Sequence, residues 1–315
     1  MRFRSTGPSV PAPPMTIDDV IARMGWAAAP DLAVTSLGGG ITNLNYRVEA
    51  RGRTCVVRIP GRDSARLGID RAREHACAAA AHQSGVAPAV VAFLGEGGVL
   101  ITEFTPGRGV TVREMQHPGM VRRVAETLRR YHGGPPFPGI FAPFRTVREY
   151  HAVAAAHGAD LPGRCDWMLA QADRLEAALG GPETFRPCHN DLLAGNFLDD
   201  GERLWILDWE YAAMGDVFFD LGNFAVHHQL SDALEHTLLE AYVGRVTPRA
   251  VARLKLMKMI SDLREAMWAM VQTAVSVIDY DFRTYGREHF DRYTAQLADP
   301  SLQRWLDGAA AEGIG

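Results

Sequence analysis

Two aspartates and an asparagine, set close together, carry the strongest chemical signal in this chain. His189-Asn190-Asp191-Leu192-Leu193-Ala194-Gly195-Asn196 is followed by Leu204-Trp205-Ile206-Leu207-Asp208-Trp209-Glu210. An amide oxygen and a carboxylate are hard ligands suited to Mg²⁺. A further carboxylate beside them can accept the proton of an incoming hydroxyl. Such a set can move a phosphoryl group from a nucleoside triphosphate to an alcohol. Asp191 is the expected base, although an ordinary aspartate pKa of about 3.9 is low for that task. A loose transition state asks for little early proton abstraction, so orienting the hydroxyl is most of the work. Asn196 and Asp208 are the expected Mg²⁺ ligands. A turn rich in Asn and Asp before a buried strand explains any one of the three, but poorly explains all of them at this spacing.

Neighbouring polar residues have supporting roles to fill. His189 is expected to brace the loop through backbone hydrogen bonds. Asp216 is placed to cap the next helix, and Asp220 to turn inward and hydrogen-bond the loop. Upstream, Leu37-Gly38-Gly39-Gly40-Ile41-Thr42-Asn43 lies between two strands. Glycines there let backbone N–H groups approach phosphate oxygens with no side chain in the way. No Gly-Lys-Ser/Thr follows, so this is not a Walker A loop. Gly38, Gly39, Gly40, Thr42 and Asn43 are the expected nucleotide contacts. Arg58, at the end of a strand, would neutralise phosphates, with Glu74 on the following helix as its ion-pair partner. Each of these is a bland turn, strand-end or helix-surface residue if taken alone.

These residues need elements to hold them. Thr16, Asp18 and Asp19 mark the start of a short helix over 16–24. Strands are expected at Val34–Leu37, Leu44–Glu49, Thr54–Ile59, Val90–Phe93 and Val99–Phe104, with an alanine-rich helix at Ile69–Gln83 among them. After Thr105-Pro106-Gly107 the pattern turns helical: 117–132, 146–157, 163–179, 216–229, 231–243, 248–279 and 284–298. The expected fold class is α+β, with a strand-rich N-terminal lobe over 16–104 and a mainly helical C-terminal lobe over 105–315. Residues 1–15 read as a disordered tail: Pro8, Pro11, Pro13 and Pro14 stand beside Arg2 and Arg4, with no apolar core of a secretory signal.

Composition narrows the field. A chain of 315 residues can bury a sizeable core, and 47% apolar with 22% charged residues is ordinary for a globular protein. A net charge of −4 argues against a nucleic-acid partner, and no apolar run approaches a membrane span. Cys55, Cys77, Cys165 and Cys188 lack metal-ligand spacing and read as reduced cytosolic thiols. Cys188 is expected to be a small buried residue beside the loop. The expected compartment is cytoplasmic.

The catalytic run resembles the kinase pattern H-R-D-x-x-x-x-N followed by D-F-G, with Asp-Trp-Glu in place of the latter. More specifically, the chain resembles the choline/ethanolamine kinases within the aminoglycoside-phosphotransferase-like group. The likeness covers most of residues 35–295. It rests on Gly-Gly-Gly-Ile-Thr-Asn-Leu-Asn-Tyr (38–46), Arg-Ile-Pro-Gly (58–61), Glu74, Ile-Thr-Glu-Phe (101–104), His-Asn-Asp (189–191) with Asn196, and Asp-Trp-Glu-Tyr-Ala (208–212). The resemblance implies a two-lobed protein-kinase-like fold and ATP with Mg²⁺ as cofactors. It makes Asp191 the catalytic residue, Asn196 and Asp208 the metal ligands, and Glu210 a neighbour of a cationic substrate head. Adenine would meet the backbone after Glu103. A small-molecule amino-alcohol is the expected partner, and a homodimer is compatible with the family.

The helix near 248–279 bears on the acceptor. Leu256, Ile260, Leu263, Met267, Val271, Ala274 and Ile278 form one apolar stripe at helical spacing. Glu265 and Trp268 share another face with Ser261 and Gln272. A ring and an acid there suit an ammonium ion by cation–π attraction and charge pairing; the alternative is a helix–helix Trp beside a solvated Glu. Choline kinases commonly carry two tryptophans here, whereas this chain has Glu265 at the earlier position. That departure tilts the acceptor toward a primary amine or another amino-alcohol, with Tyr280, Phe282 and Tyr285 as further rings. The expected function is ATP- and Mg²⁺-dependent phosphorylation of choline or ethanolamine. Alternatives are an aminoglycoside or thiamine-like acceptor, a nucleotide-binding module without turnover, and a metal-dependent hydrolase. The last would need clustered His ligands, and His227-His228 reads as a helix end.

Overall fold

The computed structural model describes residues 15–38, 43–61, 67–181 and 184–310. Gly39, Gly40 and Thr42 of the glycine loop, and the tail over 1–14, lie outside them. The chain divides into two compact units, residues 1–62 with 91–104, and residues 63–90 with 105–315.

In the first unit, Thr16 caps α1 (Ile17–Arg23) in a reciprocal box with Asp19. An antiparallel sheet follows, from β1 (Ala33–Leu37), β2 (Asn43–Ala50), β3 (Arg53–Pro60), β4 (Val90–Leu94) and β5 (Val99–Glu103), in the order β1-β2-β3-β5-β4. Alternation along β3 sends Cys55, Val57 and Ile59 into a core with Val20, Trp26, Val48, Val99 and Ile101. Arg58 therefore lies on the opposite face, in register with Asn45 and Leu100. The β2–β3 hairpin turns on Arg51 and Gly52, both at positive φ, the pairing a two-residue hairpin with right-handed strand twist favours. Asp31 accepts from both turn amides, at 2.7 and 2.6 Å.

The second unit holds α2 (Arg71–Gln83), capped by Asp70, which accepts from the Ala72 and Arg73 amides. That helix was expected within the strand-rich lobe, but by its contacts residues 63–90 belong to the helical unit. Leu67 and Ile69 join the helical core, and the Ile206 amide bonds the Val86 carbonyl. Then come β6 (Arg108–Gly109), α3 (Val112–Met115), α4 (Pro118–His132), α5 (Pro143–Ala156), α6 (Cys165–Leu179) and β7 (Arg186–Cys188). β8 (Phe197–Asp199), β9 (Leu204–Ile206) and β10 (Ala213–Gly215) precede α7 (Val217–His227), α8 (Asp232–Val243), α9 (Pro248–Val275), α10 (Phe282–Leu297) and α11 (Leu302–Ala310). β7 pairs antiparallel with β10, and β8 with both β6 and β9.

α9 is the axle of this unit, packed against α5, α7, α10 and α11. Two expectations for it need correction. It is buried on nearly every side from Leu254 to Gln272 rather than along one stripe, because helices surround it. It also ends at Val275, where Ser276 turns extended, so Ile278 lies beyond the helix and is exposed. The β-branched run Val275, Val277, Ile278 weakens helical continuation there. α7 crosses α9 closely at Gly222, where a Cβ would meet the Met257 carbonyl carbon at 2.7 Å. A larger residue would push α7, and the residues it presents, off α9.

Candidate active site

The His189–Asn196 loop is held from below by one carboxylate. Asp220, in the first turn of α7, is fully buried. Its oxygens accept from the backbone amides of His189 at 2.8 Å and Asn190 at 2.7 Å, from the Tyr131 hydroxyl at 2.5 Å and from His132 Nε2 at 3.0 Å. Burial would raise its pKa, but the bonds from His132, Tyr131 and the His189 amide outweigh that and hold it below the usual carboxylate range. Asn190 takes a left-handed φ of 68°, a conformation Asn tolerates, and donates to the Tyr211 carbonyl at 2.9 Å. Asn223, one turn beyond Asp220, accepts from the Leu192 amide at 2.6 Å and donates to Ser261 Oγ at 3.0 Å. His189 Nδ1 accepts from the Asp191 amide at 3.2 Å, leaving Nε2 to donate to the Leu207 carbonyl at 2.9 Å. Trp209 is buried with its ring edge-on to His189 and Tyr131. Asp216 caps α7 through the Phe218 amide and takes Arg253 Nη2 at 2.5 Å. The loop is thus fixed by buried polar contacts on α4, α7 and α9.

Asp191 sits at the head of that frame. Asn196 donates its side-chain N–H to the Asp191 carbonyl at 2.8 Å and to Oδ2 at 3.3 Å, while Arg264 Nη1 reaches Oδ1 at 3.5 Å. Burial pushes the carboxyl up to about 6; the Arg264 guanidinium opposes that, Glu265 adds to it and His227 opposes it again. With its nitrogen committed, Asn196 has the amide oxygen left as a ligand atom. The Leu207 amide bonds the Asn196 carbonyl at 2.8 Å, which draws the segment carrying Asp208 alongside. Asp208 itself has a left-handed φ of 65°, a backbone that Asp adopts more readily than most residues. An amide oxygen and a carboxylate, without thiol or imidazole, form a donor set that fits Mg²⁺. His132, Cys188 and Asp220 also bring ligand atoms within 4.8 Å. There, however, the imidazole and carboxylate already bond each other, and burial pushes the Cys188 thiol well up.

The residues expected beside the acceptor gather around α9. Glu265 is buried, not solvated. It takes Arg264 Nη1 and the Tyr285 hydroxyl (3.0 Å), with His227 Nε2 at 3.7 Å. Burial would raise its pKa, yet the Arg264 charge and His227 carry it below the carboxylate range. Trp268 donates to the Tyr211 hydroxyl at 3.0 Å and stands edge-on to Phe282 and Tyr285. Glu210 is buried and accepts from Arg71 Nη1 at 3.0 Å, and the same nitrogen bonds Glu74 at 2.7 Å. The site's described centre therefore lies within the helical unit. Gly38, Asn43, Arg58 and Glu103 belong to the strand-rich unit, where Glu103 accepts from Arg53 at 3.1 Å.

Comparison with known proteins settles the lineage. A model of the phosphotransferase enzyme family matches residues 33–254. A solved choline/ethanolamine kinase family protein from Mesorhizobium loti superposes with a TM-score of 0.80 at 32% identity, over 92% of this chain and 98% of that one. The chain belongs to the phosphotransferase enzyme family, in its choline/ethanolamine kinase group. Protein LicA from Haemophilus influenzae is 27% identical over 247 residues, 74% of this chain and 72% of that protein. The probable ethanolamine kinase A of Dictyostelium discoideum is 27% identical over 308 residues, 84% of this chain and 85% of that protein. The molecule is a small-molecule kinase with a protein-kinase-like fold. No helix among the described residues is long and apolar enough to cross a membrane.

Several residues of this kinase site escaped the sequence reading. Arg71 was readable as a partner for Glu74, three residues away on one helix face. Tyr131, His132 and Asn223 were not, because they meet the loop only through tertiary packing. Arg264 gave no signal at all. Adjacent helical residues do not face each other, so nothing linked it to Glu265 before the fold was known.

Proposed function

We propose that this kinase transfers the γ-phosphoryl group of ATP to the hydroxyl of a small cationic amino-alcohol, with choline and ethanolamine as the leading acceptors. The observation that carries the reading is Asp191: a carboxylate held by Asn196 on an anchored loop, next to the Glu265, Trp268 and Tyr285 group. Asp191 takes the acceptor's hydroxyl proton, the acceptor oxygen bonds the γ-phosphorus, and the bond to the β-phosphate oxygen breaks to release ADP. With its pKa raised to about 6, Asp191 is ionised at neutral pH yet more basic than an ordinary aspartate. Asn196 and Asp208 would hold Mg²⁺, which when bound neutralises phosphate charge. For the nucleotide we propose Gly38, Asn43, Arg58 and Glu103 of the strand-rich unit, with the glycine-loop residues beyond the described set. Glu265 and Tyr285 receive the ammonium group, with Trp268 as a ring wall and Glu210 nearby.

The test is ATP consumption across a panel of amino-alcohols, aminoglycosides and thiamine-like compounds, with product identified by phosphorus NMR. Turnover with choline, ethanolamine or a close amino-alcohol supports the reading. Turnover confined to an aminoglycoside, or none with any acceptor, contradicts it.

A further inference from the structure

Arg264 has a use that the phosphotransfer chemistry does not assign. Its guanidinium is 1% exposed, lies with Cζ 4.5 Å from the Tyr211 ring centroid, and commits Nη1 to Glu265 and toward Asp191. Its Nε and Nη2 are buried and have no hydrogen-bond partner among the described residues. These two atoms form the side-on edge of the guanidinium, the planar fork that matches a carboxylate. Unmet buried donors are rare in folded proteins and call for an explanation. Arg47 and Arg73 each leave a buried Nε unmet too, but among the described residues only Arg264 leaves both nitrogens of one edge so, in contrast to Arg253 on the same helix. Arg253 Nη1 donates to the Leu179 carbonyl, and its Nη2 to the Gly181 carbonyl and Asp216.

Charge placement points the same way. A site for a lone cation gains from an uncompensated carboxylate. Here Glu265 is already paired by Arg264 and bonded by Tyr285, so the acceptor meets a buried plus and minus side by side. That arrangement complements a dipolar molecule. We propose that the preferred acceptor is a zwitterionic amino-alcohol, a hydroxy-amino acid. Its carboxylate seats on the Nε–Nη2 edge of Arg264, its ammonium meets Glu265 and Tyr285, and its hydroxyl meets Asp191. The proposal rests on the phosphotransfer reading above and narrows its acceptor. Arg264 becomes the residue that sets specificity.

The experiment compares acceptors that differ only in the carboxylate: serine against ethanolamine, and homoserine against 3-aminopropanol, with choline alongside. A site whose polar group is left unmatched rejects the analogue strongly, so kcat/KM for the better acid should exceed its amine by about tenfold or more. In Arg264→Gln that ratio should collapse toward one, chiefly through KM of the acid. Arg264→Lys, which keeps the charge and loses the fork, should fall between. If Arg264→Gln fails to fold, the wild-type ratios alone decide. Amines or choline used as well as the acids would overturn the proposal while leaving the kinase reading intact. An equal loss on both classes in Arg264→Gln would also overturn it, by assigning the free edge to the phosphoryl group. No turnover with either class would remove the phosphotransfer reading and this proposal together.

Discussion

Two buried networks flank Asp191, one beneath its loop and one across from it on α9. Beneath, Asp220 uses both oxygens to accept from two backbone amides, a phenol and an imidazole. Across, Arg264 and Glu265 pair tightly, yet two guanidinium nitrogens stay without partners. In the first network every donor that meets Asp220 is matched, although Asn190 Oδ1 beside it is not, and the network serves to hold backbone in place. The second leaves two buried donors of one guanidinium edge unmatched among the described residues. The chemistry proposed for Asp191 would draw on both, a fixed frame behind the carboxylate and an incompletely paired one in front.

Asp220→Ala should break the first network most severely, since it strands two amides, a phenol and an imidazole. Loss of about 3–5 kcal/mol of stability is expected, read from denaturant midpoints, with activity lost as the loop loses its anchor. Glu265→Ala should cost stability of the same order, since it strands the buried Arg264 guanidinium and the Tyr285 hydroxyl, and should raise KM for acceptor as well.

Acidification tests the frame behind Asp191, because Asp220 and His228 stand at opposite ends of α7. His228 ends α7 fully buried, and burial lowers its pKa to about 4, with the hydrogen bond to the Phe224 carbonyl opposing and His227 adding. The unfolded chain protonates this imidazole below about 6.5, while the fold resists until about 4. Its contribution is therefore full above about pH 6.5 and shrinks as pH falls, by about 2 kcal/mol at pH 5. His228→Phe should reduce that limb of a stability–pH curve. Asp220, whose folded pKa is depressed, contributes above the ordinary carboxylate pKa and loses that only at lower pH still. Burial lowers the His289 pKa as well, so His228→Phe should shrink the limb between pH 6.5 and 4 without abolishing it; an unchanged limb in the variant would contradict the assignment.

Asp208→Asn should weaken Mg²⁺-dependent nucleotide binding by about tenfold or more while leaving metal-free stability near normal, by calorimetry with and without metal. Tyr285→Phe is the mildest change. It removes one hydroxyl from Glu265, a bond worth about 1 kcal/mol, so acceptor KM should rise about fivefold with kcat little altered.

The frame was easier to read from sequence than the acceptor side, for physical reasons. Thr16 with Asp18 and Asp19 announced α1, and the strand expected at Thr54–Ile59 lies within β3, because local chemistry decides both. His189, Asn190 and Asp191 stood out because their types and order are tied to one short loop. α11 was missed, although Leu302, Trp305, Leu306 and Ala309 recur at helical spacing. α9 could not be read from periodicity. Surrounded on all sides, it buries Ser261, Asp262, Arg264 and Glu265 along with its apolar residues. Asp220 was expected to turn inward, but the hydroxyl and imidazole it meets come from α4, nearly ninety residues earlier. Such partners are set by packing, which spacing along a chain does not encode.

The most direct test of the central claim is Asp191→Asn, assayed for ATP-dependent phosphorylation of the best amino-alcohol while nucleotide affinity is measured in parallel. A fall in kcat of about 10²–10⁴ with ATP binding unchanged is expected. Near-normal turnover in the variant would contradict it and take from Asp191 the role assigned here.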